Sequence, residues 1–174
     1  EVPSVKAIKD WCANPQQHER HIRLLQSRAR PVNVLTTHSS WLLPSLVLGC
    51  NGLLSGSGSV IADLQAQLFR AVKNNDLRMA GQIHARITPT AEVFYAEPWV
   101  DMHNRMKEAL VLLGKLPRAV VRPPLAKLSA DFSIANDAVH AASAHARRVI
   151  QIDTPVRRKR RIEGPQKRCH DGGC

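Results

Sequence analysis

The sequence is poor in aromatic residues, which make up 4% of its 174 residues and include a single tyrosine. Its core must therefore be built mainly from Leu, Val, Ile and Ala, and this favours helices packed on strands over a sandwich of large side chains. Because 44% of the residues are hydrophobic, the chain is long enough to bury one core. We expect a globular domain rather than a disordered chain.

Long apolar runs and regular cysteine patterns are also missing. No segment approaches the roughly 20 apolar residues of a membrane span, and no basic start leads into an apolar run. We therefore expect a soluble, cytoplasmic protein without membrane contact. The four cysteines are too few and too irregularly spaced for a disulfide framework. Cys169, His170 and Cys174 could be imagined as metal ligands, but no second ligand pair accompanies them, so no metal site is predicted.

Acidic residues are scarce, and the formal net charge is +11. A strongly basic surface attracts phosphates, so nucleic-acid binding is one hypothesis. Residues 151–174 carry seven basic and three acidic residues, a net +4, while the other 150 residues carry +7. The chain offers neither an aromatic stacking platform nor a recognition helix. We therefore expect residues 151–174 to be a disordered basic tail and place nucleic-acid binding behind the other hypotheses.

The first 75 residues alternate between strand and helix patterns three times. Strands are predicted at residues 4–9, 31–37 and 52–55. Asn14 and Pro15 open the first helix as N-cap and first helical residue. Three consecutive βα units indicate a parallel sheet or barrel.

Two further helices complete these units. A short one over residues 41–48, capped by Ser39 and Ser40, ends at Gly49. The other follows the glycine and serine cluster at residues 56–59, and its apolar residues lie three or four positions apart. We assign Ser57 and Ser59 in that cluster to helix capping rather than substrate contact.

After residue 75 only helical patterns remain, at about residues 76–95, 99–113 and 130–149. Since no strand alternates with them, they should form a separate helical layer. The predicted organisation is a partial barrel over residues 1–75, a helical region over residues 76–150 and the tail over residues 151–174.

Lys9 ends the first predicted strand, with the small residue Ala7 behind it on the same face. In a (β/α)₈ barrel the chemistry lies at the carboxyl ends of the strands. A lysine there becomes a nucleophile only in an apolar, partly dry setting. Taken alone, a lysine at a strand end is more often a solvated surface residue.

An ordered series of motifs changes this interpretation. Ile8-Lys9-Asp10, the Leu-Pro helix around Pro44 and the run from Asn51 to Gly56 occur in this order, followed by helical motifs up to residue 128. The series resembles the dihydrodipicolinate synthase and N-acetylneuraminate lyase family of Schiff-base pyruvate aldolases. The resemblance implies an α/β fold, the C-terminal part of a (β/α)₈ TIM barrel with about three βα units followed by a C-terminal helical layer.

The resemblance also implies a mechanism. The Lys9 amine condenses with the keto group of pyruvate or another 2-oxo acid, and the protonated imine accepts electrons from the adjacent carbon. That carbon then adds to an aldehyde as an enamine, or the reverse cleavage occurs. No metal or organic cofactor is implied, and the full-length protein is expected to be a homo-oligomer, a tetramer.

Other pocket residues follow from the same resemblance. Leu54 and Ser55 match the strand end that lines the pocket through backbone groups. After the strand ending at Leu35 the family commonly has a glycine followed by an acidic residue, whereas this chain has Thr36-Thr37-His38-Ser39. The missing carboxylate argues against a sialic-acid substrate. We predict Lys9 as the catalytic residue and Thr37, Leu54 and Ser55 as substrate-binding residues; His38 is left open between a polar contact and an ordinary loop histidine.

The family's barrel has eight strands, and its threonine pair and catalytic tyrosine lie on strands before the lysine strand. This chain matches only the part from the lysine strand onward, and Tyr95 lies in the helical region at no catalytic position. We therefore expect a fragment with unpaired sheet edges that is prone to associate. The alternative to an active aldolase is an inactive fragment or pseudoenzyme; nucleic-acid binding is the weaker alternative.

Overall fold

A computed structural model describes residues 2–128 of the chain. Eight regular elements follow in order: β1 (Ala7–Asp10), α1 (Pro15–Gln26), β2 (Asn33–Thr36), α2 (Leu42–Val47), β3 (Gly52–Leu53), α3 (Gly58–Lys73), α4 (Leu77–Phe94) and α5 (Met102–Leu112). Short 3₁₀ turns precede α2 at Ser39–Trp41 and α5 at Trp99–Asp101. The predicted helix at residues 130–149 and the basic tail lie outside the described residues.

The three strands form one parallel sheet in the order β1-β2-β3. Lys9 pairs with Leu35, and Leu35 pairs with Gly52. A helix follows each strand, so the three predicted βα units are confirmed. Parallel neighbours need such crossovers, and these put helices against the sheet.

The start of α1 follows local rules. Asn14 precedes the helix in extended conformation, and its side-chain oxygen accepts a hydrogen bond from the Gln17 backbone N–H at 2.9 Å. Pro15 takes the first helical position, where a missing N–H costs nothing. His18 and Ile22 are buried one turn apart. The N-cap and the buried face of this helix are thus as predicted.

Several predicted boundaries differ from the structure. The third strand is only Gly52–Leu53, so Leu54 and Ser55 follow it. Helix α2 begins after a 3₁₀ turn that includes Ser39, without a side-chain cap, and Gly49 beyond its end has φ +100°. That left-handed conformation favours glycine and stops the helix, as predicted.

The capping role predicted for Ser57 is wrong. Ser57 precedes α3, but its side chain makes no cap hydrogen bond, because the hydroxyl is bound to other side chains. Ser59 donates to the Gly56 carbonyl at 2.7 Å and does not cap an N–H either. Neither Ser57 nor Ser59 therefore caps the start of α3.

The helical layer predicted after residue 75 is present. Helix α4 packs along α3, and α5 packs on both. Buried side chains of α3 and α4, such as Leu68 and Ile87, form the core between them. Arg105 of α5 is also buried and donates to the carbonyls of Phe94, Ala96 and Pro98. These bonds tie the start of α5 to the turn after α4.

None of the helices within residues 2–128 is both long enough and apolar enough to span a membrane.

The two faces of the sheet have different surroundings. On one face, Asp10 contacts His18 and His21 of α1, and Thr36 donates to Ser45 of α2 at 3.1 Å. We call this the helix-covered face; it carries Ile8, Asp10, Val34 and Thr36. Side chains alternate along a strand, so Ala7, Lys9, Leu35 and Gly52 point the opposite way, to what we call the open face.

Candidate active site

Lys9 is the next-to-last residue of β1, on the open face. Its side chain is exposed, as is Ala7 two residues earlier. In a barrel whose helices lie outside, the face opposite the helices is the interior. Lys9 therefore points from the carboxyl end of its strand toward the side that is the interior of such a barrel.

The three predicted substrate-binding residues follow the neighbouring strands. Thr37 comes directly after β2 and is buried, with 1% of its surface exposed. Leu54 follows β3 with an exposed side chain, and its backbone N–H donates to the Thr36 carbonyl at 2.9 Å. Ser55, the next residue, is partly buried. Thr37, Leu54 and Ser55 therefore lie at the same edge of the sheet as the end of β1. Their role in binding substrate stays a prediction.

Ser55 belongs to a cluster of hydroxyl groups at this edge. Ser39 lies at its centre, with its Oγ 2.7 Å from Ser55 Oγ and 2.6 Å from Ser57 Oγ. Ser39 also donates to the Tyr95 hydroxyl at 3.1 Å, and Gln65 donates to Ser57 at 2.8 Å. We call these five residues the hydroxyl cluster. It joins the ends of β2 and β3 to α3 and the end of α4.

Sequence reasoning missed this cluster. Tyr95 lies in the helical region, as stated from the sequence, but it reaches back to the strand ends. Its partner Ser39 is 56 residues earlier in the chain. The glycine and serine run at residues 56–59 was the only visible signal, and helix capping explained it equally well.

An aromatic group covers the loops after β1 and β2. Trp11 stacks on His38 with ring centroids 5.2 Å apart and lies 5.6 Å from Tyr95. Trp99 meets Trp11 edge to face at 6.4 Å. Burial lowers the pKa of His38, so its imidazole stays neutral near pH 7. His38 is thus part of an aromatic stack with Trp11 and Tyr95.

Asp10, next to Lys9, lies on the helix-covered face. Its carboxylate accepts hydrogen bonds from His18 Nδ1 at 2.8 Å, His21 Nδ1 at 2.9 Å and the Cys12 backbone N–H at 2.9 Å. Burial raises the pKa of Asp10, but the bonds from His18, His21 and Cys12 outweigh it and lower the pKa to about 2. Asp10 is therefore a carboxylate throughout the physiological range.

A cavity of about 170 Å³ lies beside this carboxylate, between the loop after β1 and the start of α2. Asp10, Cys12, His18, Thr36 and His38 are among its lining residues. Lys9 does not line it, since the lysine points to the other side of the sheet. The cavity is therefore separate from the predicted imine site.

Three parallel βα units with their helices on one face of the sheet define part of a (β/α)-barrel. The sequence model of the dihydrodipicolinate synthetase family matches residues 1–142, and the chain belongs to this family. The suspected relationship is thereby confirmed.

Curated relatives agree with this assignment. A 4-hydroxy-tetrahydrodipicolinate synthase from Oceanobacillus iheyensis is 26% identical over 130 residues, which cover 74% of this chain and 41% of that protein. The enzyme of the same name from Thermomicrobium roseum is 30% identical and covered to 40%. An Escherichia coli protein provisionally named 2-dehydro-3-deoxy-D-gluconate aldolase is 29% identical and covered to 41%. The chain thus spans about two fifths of the length of these relatives.

Solved structures show the same architecture. Dihydrodipicolinate synthase from Aquifex aeolicus matches with a TM-score of 0.70 at 23% identity, covering 84% of this chain and 47% of that one. The Thermotoga maritima enzyme gives 0.71 at 19% identity, covering 80% and 46%. A monomeric dihydrodipicolinate synthase variant gives 0.70 at 20% identity, covering 80% and 45%. The predicted partial TIM barrel is therefore confirmed.

Proposed function

We propose that this chain supplies the imine-forming part of a 2-oxo-acid carbon-carbon lyase or aldolase, with Lys9 as the Schiff-base lysine. The observation that carries the proposal is the position of Lys9 at the carboxyl end of β1, on the face opposite the helices, in a member of this family. Thr37, Leu54 and Ser55 are the proposed substrate contacts because they follow β2 and β3 at the same edge.

The proposed chemistry begins when the neutral Lys9 amine adds to the keto carbon of pyruvate or a related 2-oxo acid. Uptake of a proton and loss of water give a protonated imine, which withdraws electrons from the neighbouring carbon. Release of a proton from that carbon gives an enamine, which attacks an aldehyde carbonyl. Water then hydrolyses the resulting imine, which releases the product and restores the Lys9 amine. The cleavage reaction runs through the same steps in reverse. The relatives carry more than one substrate name, so the proposal is made for the class of 2-oxo-acid lyases and aldolases.

The surroundings of Lys9 favour a complex over the isolated chain. A lysine nucleophile is activated by an apolar, enclosed setting, whereas the described residues leave Lys9 exposed on a three-stranded wall. We therefore expect weak imine formation by the chain alone. The alternative, a chain that keeps the lysine without turnover, predicts no activity in any setting.

Borohydride trapping tests the proposal. The full chain is incubated with pyruvate and borohydride, alone and with the part of the Oceanobacillus iheyensis enzyme that it does not match. We expect a reduced pyruvate adduct on the Lys9 peptide, stronger in the mixture. Lys9→Arg should abolish it, while Lys6→Arg, at the exposed lysine just before β1, should retain it.

Two outcomes separate the hypotheses. The absence of an adduct on the Lys9 peptide in both settings contradicts the imine assignment. An adduct without turnover of pyruvate and an aldehyde supports the inactive alternative.

The assembly and location of the protein are further parts of the proposal. We propose a homotetramer in the cytoplasm, although a monomeric variant exists among the matched dihydrodipicolinate synthases. Mass photometry of the complemented protein tests the first point, and a mass of one or two subunits contradicts it. Fractionation of the source cells tests the second, and recovery with membranes contradicts it.

A further inference from the structure

Three potential metal ligands meet just behind the predicted imine lysine. The ligand atoms of Asp10, Cys12 and His21 all lie within 4.8 Å of one another. Asp10 ends β1, Cys12 lies in the following loop, and His21 lies on the second turn of α1. One strand end, one loop and one helix therefore hold the three groups in place.

The Asp10 carboxylate is the anionic donor of this cluster. Only 6% of its surface is exposed, and its hydrogen-bond partners within residues 2–128 are two imidazoles and one backbone N–H. These bonds keep the carboxylate ionised. No lysine or arginine is among the partners, so a cation can bind the carboxylate directly.

His18 fixes the position of the Asp10 carboxylate. It is more than nine-tenths buried and lines the cavity beside Asp10 and Cys12. Its Nδ1 bonds to Asp10, while its Nε2 is buried without a hydrogen-bond partner among residues 2–128. The His18 ring therefore restrains the carboxylate that Cys12 and His21 approach.

We propose that Asp10, Cys12 and His21 form a binding site for a divalent transition metal of the zinc class. One carboxylate, one thiolate and one imidazole are a donor set that zinc accepts, with water completing a tetrahedral site. His18 acts as a positioning residue that holds the Asp10 carboxylate. Zinc bonds of about 2.0–2.3 Å put the ligand atoms of a tetrahedral site about 3.3–3.8 Å apart. Ligand atoms that now lie up to 4.8 Å apart would therefore approach, while His21 Nδ1 and Asp10 Oδ2, now 2.9 Å apart, would separate by a few tenths of an ångström.

Metal binding moves two protons. Asp10 is already ionised, the Cys12 thiol releases one proton to solvent, and the His21 ring proton shifts from Nδ1, where it is donated to Asp10, to Nε2 so that Nδ1 can bind the metal. Burial raises the pKa of the Cys12 thiol, and metal binding has to release the thiol proton.

The site is independent of the proposed aldolase chemistry. It lies on the helix-covered face, whereas Lys9 points to the open face. A metal there would fix the end of β1 against α1, and it would not touch the substrate. Metal binding can therefore be present or absent whatever the outcome of borohydride trapping.

Cobalt binding by the full chain tests the proposal. The reference protein carries Cys169→Ser and Cys174→Ser, which removes the other cysteines near a histidine in the sequence. We expect one Co²⁺ per chain with thiolate-to-cobalt absorption in the near ultraviolet. Cys12→Ser should remove this absorption, and His21→Gln should weaken binding by tenfold or more. Cys50→Ser, at the buried cysteine outside the cluster, should change neither.

X-ray absorption at the zinc edge of the reference protein needs no cluster variant that could fail to fold. One sulfur with two or three nitrogen or oxygen neighbours supports the site. The proposal is overturned by zinc with no sulfur ligand, by zinc with two, or by a reference protein that binds neither metal at micromolar concentration. It is also overturned if Cys12→Ser retains the cobalt spectrum.

Discussion

Lys9 and Asp10 are neighbours in the chain, yet their surroundings are opposite. Lys9 lies exposed on the open face, and its proposed role depends on a barrel wall of which the described residues supply three strands. Asp10 lies buried on the helix-covered face, and α1 of this same chain supplies its partners. The proposed reaction of Lys9 therefore needs further barrel strands, whereas the surroundings of Asp10 are formed by this chain itself.

The largest expected effect concerns the packing behind the helix-covered face. Leu68 of α3 is fully buried in the core, whereas Leu54 after β3 is 51% exposed. Leu68→Ala should lower the free energy of unfolding by about 3 kcal/mol, because it removes apolar contacts and leaves a cavity. Leu54→Ala should change it by less than about 0.5 kcal/mol. Urea unfolding followed by circular dichroism measures both changes. Equal losses of unfolding free energy would show that Leu54 is packed as tightly as Leu68.

Part of the contrast between the helix-covered face and the open face could be predicted from the sequence. Asn14, Pro15 and the spacing of His18 and Ile22 define the start and buried face of α1 by local rules, and the structure confirms them. The period of the strand pattern also separated Lys9 from Ile8 correctly. Such features depend on residues a few positions apart, which a sequence pattern contains.

The parts that could not be predicted depend on distant residues. Ser57 looked like a helix cap, but Ser39 and Gln65 bind its hydroxyl, and Ser39 also reaches Tyr95. Those partners become neighbours only after the strands and helices have packed. The Asp10 cluster was missed for the same reason, since β1 and α1 bring its ligands together. The catalytic role of Lys9 stays a prediction, because it rests on the family and on an enclosure that residues 2–128 do not form.

The second prediction compares the two neighbours directly. At pH 7, Asp10→Asn should lower the free energy of unfolding by about 2 kcal/mol, while Lys9→Met should change it by less than about 0.5 kcal/mol. Asp10 has a lowered pKa of about 2 in the folded chain against 3.8 ordinarily. Its contribution is therefore fully present above about pH 5 and is lost as the pH falls from about 4 to 2.

The free energy of unfolding, measured from pH 7 to pH 2, checks this loss of stability in acid. The curves of the original chain and Asp10→Asn should converge at the acid end, while that of Lys9→Met should run parallel to the original throughout. A constant gap between the original chain and Asp10→Asn would mean that the Asp10 charge does not stabilise the fold.

The third prediction concerns the hydroxyl cluster. Ser57 is buried and bonded to Ser39, Ser55 and Gln65, whereas Ser59 is exposed and donates to one carbonyl. Ser57→Ala should cost about 1.5 kcal/mol of unfolding free energy, because the Gln65 amide loses a buried acceptor. Ser59→Ala should cost a few tenths at most. Thermal unfolding of the two variants compares them, and equal midpoints would rule out a stabilising role for the cluster.

The smallest expected difference tests whether the open face is free to adjust. A Cβ on Gly52 would lie 3.1 Å from Leu35 Cδ2, and one on Gly56 would lie 3.1 Å from Met106 Sδ. Leu35 is a partly exposed residue of the open face, so its side chain can move aside, and alanine also suits a strand better than glycine. Met106 is buried in the core, where an added methyl displaces packed neighbours. Gly52→Ala should therefore be neutral within about 0.5 kcal/mol, and Gly56→Ala should cost about 1 kcal/mol. Urea unfolding measures both changes in unfolding free energy. A loss for Gly52→Ala as large as that for Gly56→Ala would mean that the open face is already packed in this chain. Lys9 would then lie in a more enclosed setting than its exposure indicates.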